Sequence, residues 1–153
     1  MKLTEHLTPA LIKVPLVAKD KKSAIAEMVD VLVQGGITEA RDTLLAAVME
    51  RENQRTTGIG LGFAIPHAKT DAVKGLIIAL GRTAQPIDFA AIDGKPVNLI
   101  ALLVSPSNAT SQHIQALARL SRMVTSASLL QKLLDAPDAQ ALYDLIAASD
   151  NAA

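Results

Sequence analysis

His67, directly behind Pro66, is the residue in this sequence best placed to do chemistry. The proline ring fixes its own φ and pushes Ile65 into extended geometry, so the backbone entering His67 is stiff. A neutral imidazole, with an unperturbed pKa of about 6.5, is a competent nucleophile near neutral pH. A histidine held this way suits attack on a reactive group carried by another protein. The competing reading is a ring that merely satisfies a loop carbonyl. Just upstream, Gly58, Gly60 and Gly62 recur at every second residue. On an extended backbone the three share one face without Cβ atoms, open to close approach by another backbone, a side chain or a phosphate.

Two nucleotide-binding readings fail on spacing. The G-x-G-x-G run leads into Pro66, whereas a dinucleotide fingerprint needs G-x-G-x-x-G opening a helix, and no Gly-Lys-Ser/Thr follows to make a phosphate loop. His113 falls near the start of an expected helix, one turn before Leu117, where a partly buried, hydrogen-bonded side chain explains it. Arg51 lies in the last turns of another helix, where a cation complements the dipole. A zinc site built from His6, His67 and His113 would need a carboxylate and three distant segments to converge. With no H-E-x-x-H and no cysteine, neither a metal nor another cofactor is expected.

The elements that must hold these residues follow from periodicity. Leu11 to Ala18 reads as a short strand that Pro15 confines to a sheet edge. Asp20 opens a helix carrying Ile25, Met28, Val29, Leu32 and Val33, which Gly35-Gly36 ends. Thr38 is expected to cap a second helix with the stripe Leu44, Leu45, Val48 and Met49. Residues 75–81 and 97–104 read as strands buried on both faces, with Asp93-Gly94 a turn between them. Ser105 to Asn108 breaks the second strand and opens the helix of His113; Ser126 and Pro137 open two more helices. Ser149 to Ala153 is expected to fray. This order predicts a single α/β domain over residues 1–153 with a mixed sheet.

Composition narrows the function classes. Fifteen Lys and Arg balance fifteen Asp and Glu, which argues against a nucleic-acid groove or an anionic membrane as the main partner. Phe63, Phe89 and Tyr143 are the only aromatic residues, too few for a base-stacking platform. The longest apolar runs fall far short of the roughly 20 residues of a membrane helix. The N-terminal residues lack the apolar run of a secretory signal, so a cytoplasmic location without membrane insertion is expected.

The stretch Thr57-Gly58-Ile59-Gly60-Leu61-Gly62-Phe63-Ala64-Ile65-Pro66-His67-Ala68 resembles the signature of phosphotransferase-system IIA domains of the fructose/mannitol class, which includes the nitrogen-regulatory IIA proteins. Arg51-Glu52, the position of His113 and the segments Pro86–Phe89 and Ala91–Val97 are also similar to that family, so the likeness covers about Leu11 to Ala147. Phe63 and Leu61 depart from the family's usual residues; Leu61 bears on partner choice. The resemblance implies a mixed β-sheet sandwiched between helices and a phosphotransferase acting as a phosphohistidine carrier. His67 would accept a phosphoryl group from the carrier HPr or its nitrogen-branch counterpart, with His113 flanking it and Arg51 balancing charge. It would hand the group to the IIB component of a sugar permease. In the alternative, its phosphorylation state would control binding to regulatory targets such as sensor kinases, transporters or channels. Phosphoryl transfer needs positioning and charge stabilisation above all. Backbone N–H groups around Gly58, Gly60 and Gly62, with the Thr57 hydroxyl, are expected to receive the phosphoryl oxygens, with Lys69 a further cation. Ile59, Leu61 and Phe63 are expected to form a docking rim, or else to be core.

Overall fold

A computed structural model describes residues 1–152. Two long strands, β5 (Ile77–Ile87) and β6 (Val97–Ser105), pair antiparallel at the centre of the sheet. Their central stretches, Ile77–Leu80 and Leu99–Val104, are apolar on both faces because helices cover both. The edge strand β1 (Ile12–Leu16) joins β5 in parallel. On the far side of β6 lie three short strands, β2 (Gly58–Gly60), β3 (Phe63–Ala64) and β4 (His67–Lys69). β3 and β4 both run parallel to β6, and β2 pairs antiparallel with β3. The sheet is therefore mixed, in the order β1-β5-β6-β3-β2, with β4 further along β6.

Helix α1 (Lys21–Gln34) opens where the Asp20 carboxylate accepts the Ser23 backbone N–H at 2.8 Å. Its Met28 lies over Gly81 of β5, where a Cβ would come within 2.6 Å of the sulfur. Gly81 pairs with Ile100, so α1 covers the face that carries Ile100, Leu102 and Val104. Helix α3 (Thr110–Met123) covers the opposite face, since its His113 meets Ser105 of β6. Helix α2 (Arg41–Gln54) packs beside β4, and α4 (Ala127–Asp135) and α5 (Ala139–Ala152) complete the fold.

Several boundaries differ from expectation. Thr38 does not cap α2: its Oγ1 accepts the Ala40 N–H in a tight turn, and the helix begins at Arg41. β5 runs on to Ile87, past the Gly81 expected to end it. Of the tail expected to fray, Ser149 to Ala152 form the last turn of α5, and Ala153 lies outside the described residues. Buried Asp150 holds that end down, accepting the Leu3 N–H at 3.1 Å, the Thr4 N–H at 2.9 Å and the Arg119 guanidinium at 3.1 Å. No helix among the described residues is long and apolar enough to cross a membrane.

Candidate functional site

Between β3 and β4 the ladder to β6 thins at Ile65 and Pro66, where the Pro66 carbonyl alone keeps it, accepting the Leu103 N–H at 3.0 Å. Proline has no N–H to give to a ladder, and the Ile65 N–H goes instead to the Thr57 carbonyl at 3.0 Å. Register with β6 is kept across the gap, Ala64 opposite Ile100 and His67 opposite Leu103. The Ile65 carbonyl, which the strand's alternation turns away from β6, lies 2.7 Å from His67 Nδ1. A carbonyl can only accept, so the proton sits on Nδ1 and the lone pair on Nε2. The ring therefore satisfies a loop carbonyl, and that contact leaves the lone pair on the other nitrogen.

His67 is partly buried and borders two adjoining clefts of about 330 and 250 Å³. Arg51 and Leu117 line both, Lys69 and His113 the first, and Ile59 and Ile92 the second. Burial holds the His67 pKa below histidine's ordinary value, and the nearby Arg51 charge pushes the same way. The Ile65 hydrogen bond and Glu52 oppose them. The His113 ring stands 5.5 Å from the His67 ring, centroid to centroid, at 64°. It is buried, with Nδ1 2.6 Å from Ser105 Oγ, and burial together with His67 and Lys69 lowers its pKa to about 4. Arg51 donates from Nη1 to the Arg55 carbonyl at 3.0 Å, closing the C-terminus of α2 and keeping four N–H groups for other partners. Lys69 Nζ reaches Thr110 Oγ1 at the start of α3, 3.5 Å away. The structure thus brings His67, His113 and Arg51 together from three separate elements.

The glycine segment is placed differently from the open cradle that its spacing suggested. Gly62 is not on an extended backbone with Gly58 and Gly60. It forms, with Leu61, the two-residue turn of the β2–β3 hairpin, at φ +74° and +60°. A Cβ on Gly58 would lie 2.8 Å from Ala91, one on Gly60 3.3 Å from Asp93, and one on Gly62 2.8 Å from Asn98. The bare positions are thus filled by the protein's own loop and by β6, and none of the three lines either cleft. Their neighbourhood's donors are also engaged: Gly58 N–H with Thr56 Oγ1 at 3.1 Å and Leu61 N–H with Asp93 at 3.2 Å. Thr57 donates both its N–H, at 2.7 Å, and its hydroxyl to the Glu52 carboxylate. Of the expected rim, Ile59 and Leu61 are exposed, joined by Ile92, whereas Phe63 is core.

Three contributors escaped the sequence reading of roles: the Ile65 carbonyl, Glu52 and Ser105. Glu52 is buried, carries an ion pair to Lys21 at 3.1 Å, and ties α2 to Thr57, whose carbonyl holds Ile65. Its signal was available: it continues the four-residue spacing of the buried Leu44 and Val48, and a carboxylate on an apolar stripe needs partners. Ser105 closes the apolar run Leu99–Val104 eight residues before His113. Among the described residues, no group of three or more His, Cys, Asp or Glu side chains is arranged to hold a metal ion.

The fold that gathers two histidines and an arginine beside a mixed sheet has relatives among known proteins. Over residues 5–149 the chain matches the family described as phosphoenolpyruvate-dependent sugar phosphotransferase system, EIIA 2, and it belongs to that family. It is 41% identical over 127 residues to a PTS system fructose-specific EIIA component of Haloferax volcanii, covering 83% of this chain and 82% of the relative. Identity to a fructose-specific EIIABC component of Bacillus subtilis is 39% over 146 residues, 95% of this chain but only 23% of that longer protein. Among solved structures, the nitrogen regulatory protein IIA-Ntr from Neisseria meningitidis superposes with a TM-score of 0.87 at 30% identity, covering 93% of this chain and 97% of its own.

Proposed function

We propose that this protein is a cytoplasmic phosphocarrier that takes a phosphoryl group on Nε2 of His67 from the phosphohistidine of HPr or an HPr-like carrier. It passes the group to the IIB component of a fructose/mannitol-type sugar permease. The observation that carries this reading is the 2.7 Å contact from His67 Nδ1 to the Ile65 carbonyl, which leaves Nε2 unprotonated beside an open cleft. The Nε2 lone pair attacks phosphorus in line with the donor's P–N bond. As the new P–N bond forms, the old one breaks and its electron pair returns to the donor ring. With the proton kept on Nδ1 throughout, no proton has to move in either direction.

Arg51 supplies charge to the phosphoryl oxygens through the N–H groups it does not spend on Arg55, and His113 contacts them from the other side. A shell this sparse suits a carrier, because several tight ion pairs would trap the cargo. With the Thr57, Gly58 and Leu61 donors already engaged, Thr57, Gly58, Gly60 and Gly62 contribute to phosphoryl binding by shaping and stiffening the site.

A second reading, regulation by phosphorylation state as in the nitrogen branch, is favoured by the likeness to IIA-Ntr. Both use the same histidine. Incubation with phosphoenolpyruvate, the first-stage kinase and either HPr or the nitrogen-branch carrier tests both points at once. Acid-labile label should appear on the wild type and be lost in His67→Ala; label persisting in the mutant contradicts the assignment. Faster labelling from HPr selects sugar transport, and faster labelling from the other carrier selects regulation.

A further inference from the structure

Ser105 is fully buried at the end of β6, and its hydroxyl has one hydrogen-bond partner among the described residues, His113 Nδ1 at 2.6 Å. That contact can be made in two ways. If Nδ1 carried the proton, it would donate to Ser105 Oγ. The hydroxyl hydrogen would then be buried with no acceptor, and the Nε2 lone pair of His113 would face the cleft it shares with His67. If the hydroxyl donates to Nδ1, every polar hydrogen of the pair is used, and Nε2 carries its proton toward the cleft. Leaving a buried donor unmade is the costlier arrangement, so the second is preferred.

We propose that Ser105 is a positioning residue that holds His113 as a neutral ring with its proton on Nε2, where it donates a hydrogen bond to the phosphoryl group on His67. The consequence for transfer rests on the phosphocarrier reading above; the assignment of the His113 proton does not. The two histidines then carry opposite tautomers for opposite tasks. A backbone carbonyl keeps the proton on Nδ1 of His67 and bares its nucleophilic nitrogen, while a hydroxyl bares Nδ1 of His113 and arms the nitrogen nearer the cargo. Burial and the neighbouring His67 and Lys69 disfavour a second proton on His113, so the grip is a hydrogen bond between a neutral donor and an anion. Such a contact stabilises the charge without adding another full ion pair to hold it back.

The test uses the full chain labelled with nitrogen-15 in its histidines, at pH 7.5. Long-range proton–nitrogen spectra of the wild type should show the His113 proton on Nε2, and Ser105→Ala should turn this into a mixture of tautomers. With phosphorylated HPr as donor, Ser105→Ala should lower kcat by about tenfold, the factor expected for one hydrogen bond. KM should stay unchanged, because Ser105 is inaccessible to a partner. Ser105→Thr, which keeps the hydroxyl, should restore both spectrum and rate. A wild-type spectrum with the proton on His113 Nδ1 overturns the proposal, and needs no variant to fold. So does a Ser105→Ala protein whose rate falls while its His113 spectrum stays that of the wild type, since that marks a merely structural role. Failure of the wild type to take label on His67 would instead remove the phosphocarrier reading, with the spectrum still deciding what Ser105 does.

Discussion

The two long sides of β6 are built on opposite plans. On one side β5 runs antiparallel to it without a break from the Ile77–Val104 pairing to Arg82–Leu99, shifts register before Ile87–Val97, and has Ile78, Ala79 and Leu80 in the core. On the other side the neighbour is a strand in two pieces, β3 and β4, which keep register across Ile65 and Pro66, where the Pro66 carbonyl makes the one bond to β6. The continuous side spends its backbone groups on the ladder and its side chains on packing. On the interrupted side the alternation of the strand turns the Ile65 carbonyl away from β6, where it meets a histidine ring, while the Pro66 carbonyl still accepts the Leu103 N–H at 3.0 Å. The difference teaches that a main-chain carbonyl on the outer edge of a sheet can orient a side chain, with no further residue needed to set the tautomer.

The comparison predicts a double dissociation. On the interrupted side, His67→Ala should abolish phosphoryl acceptance while shifting unfolding free energy by only about 1 kcal/mol, since the ring is partly exposed. On the continuous side, Leu80→Ala should cost about 2–5 kcal/mol, because it empties a site buried between β1 and β6. Its acceptance of label per folded molecule should stay that of the wild type. Urea titration with labelling of both variants checks this, and a Leu80→Ala protein that folds but cannot be labelled would break the contrast.

Glu52→Gln sharpens it. The carboxylate lies outside the clefts, yet it fixes Thr57, which in turn fixes Ile65. Loss of its charge should destabilise by about 1–3 kcal/mol and also slow labelling of His67, joining two effects that the first pair of variants separates. An equally destabilised variant labelled at the wild-type rate would show that the carbonyl needs no such brace.

Acid should act through the interrupted side as well. His113 binds its proton only near pH 4 when folded, against about 6.5 when unfolded, and His67 shifts in the same direction. Between those values the unfolded chain binds more protons. Stability is therefore complete above about pH 6.5 and is lost as pH falls toward 4. His113 alone contributes on the order of 2 kcal/mol of loss between pH 7.5 and 5. Urea midpoints at the two pH values measure it, and His113→Gln should flatten the slope. A slope unchanged in that variant would place the protons elsewhere. The smallest effect on labelling is expected far from the site: Asp150→Ala should leave it unaltered while costing about 3 kcal/mol by releasing Leu3, Thr4 and Arg119.

Periodicity made most of the architecture legible. The Asp20 cap, the stripe of α1 and the two central strands stand where apolar spacing put them. The signature pointed to His67, and the likeness to a family supplied its companions His113 and Arg51. Less was legible where long-range contacts decide the local form. Three glycines at alternate positions look like an exposed face, but whether that face is open depends on Ala91, Asp93 and Asn98, which arrive from 29 or more residues away. Phe63 reads equally as rim or core until its pairing with Leu99 buries it. Asp150 looked like part of a loose tail because its partners are the first residues of the chain. In each case the residue type was plain and the partner was not.

The central claim is that the Ile65 carbonyl chooses the nitrogen that reacts. Nitrogen-15 and phosphorus-31 spectra of the phosphorylated protein, labelled in histidine, read this from the coupling between phosphorus and the ring nitrogen it is bound to. The account predicts phosphorus on Nε2 of His67 with the proton still on Nδ1. Phosphorus on Nδ1, or on His113, would contradict it.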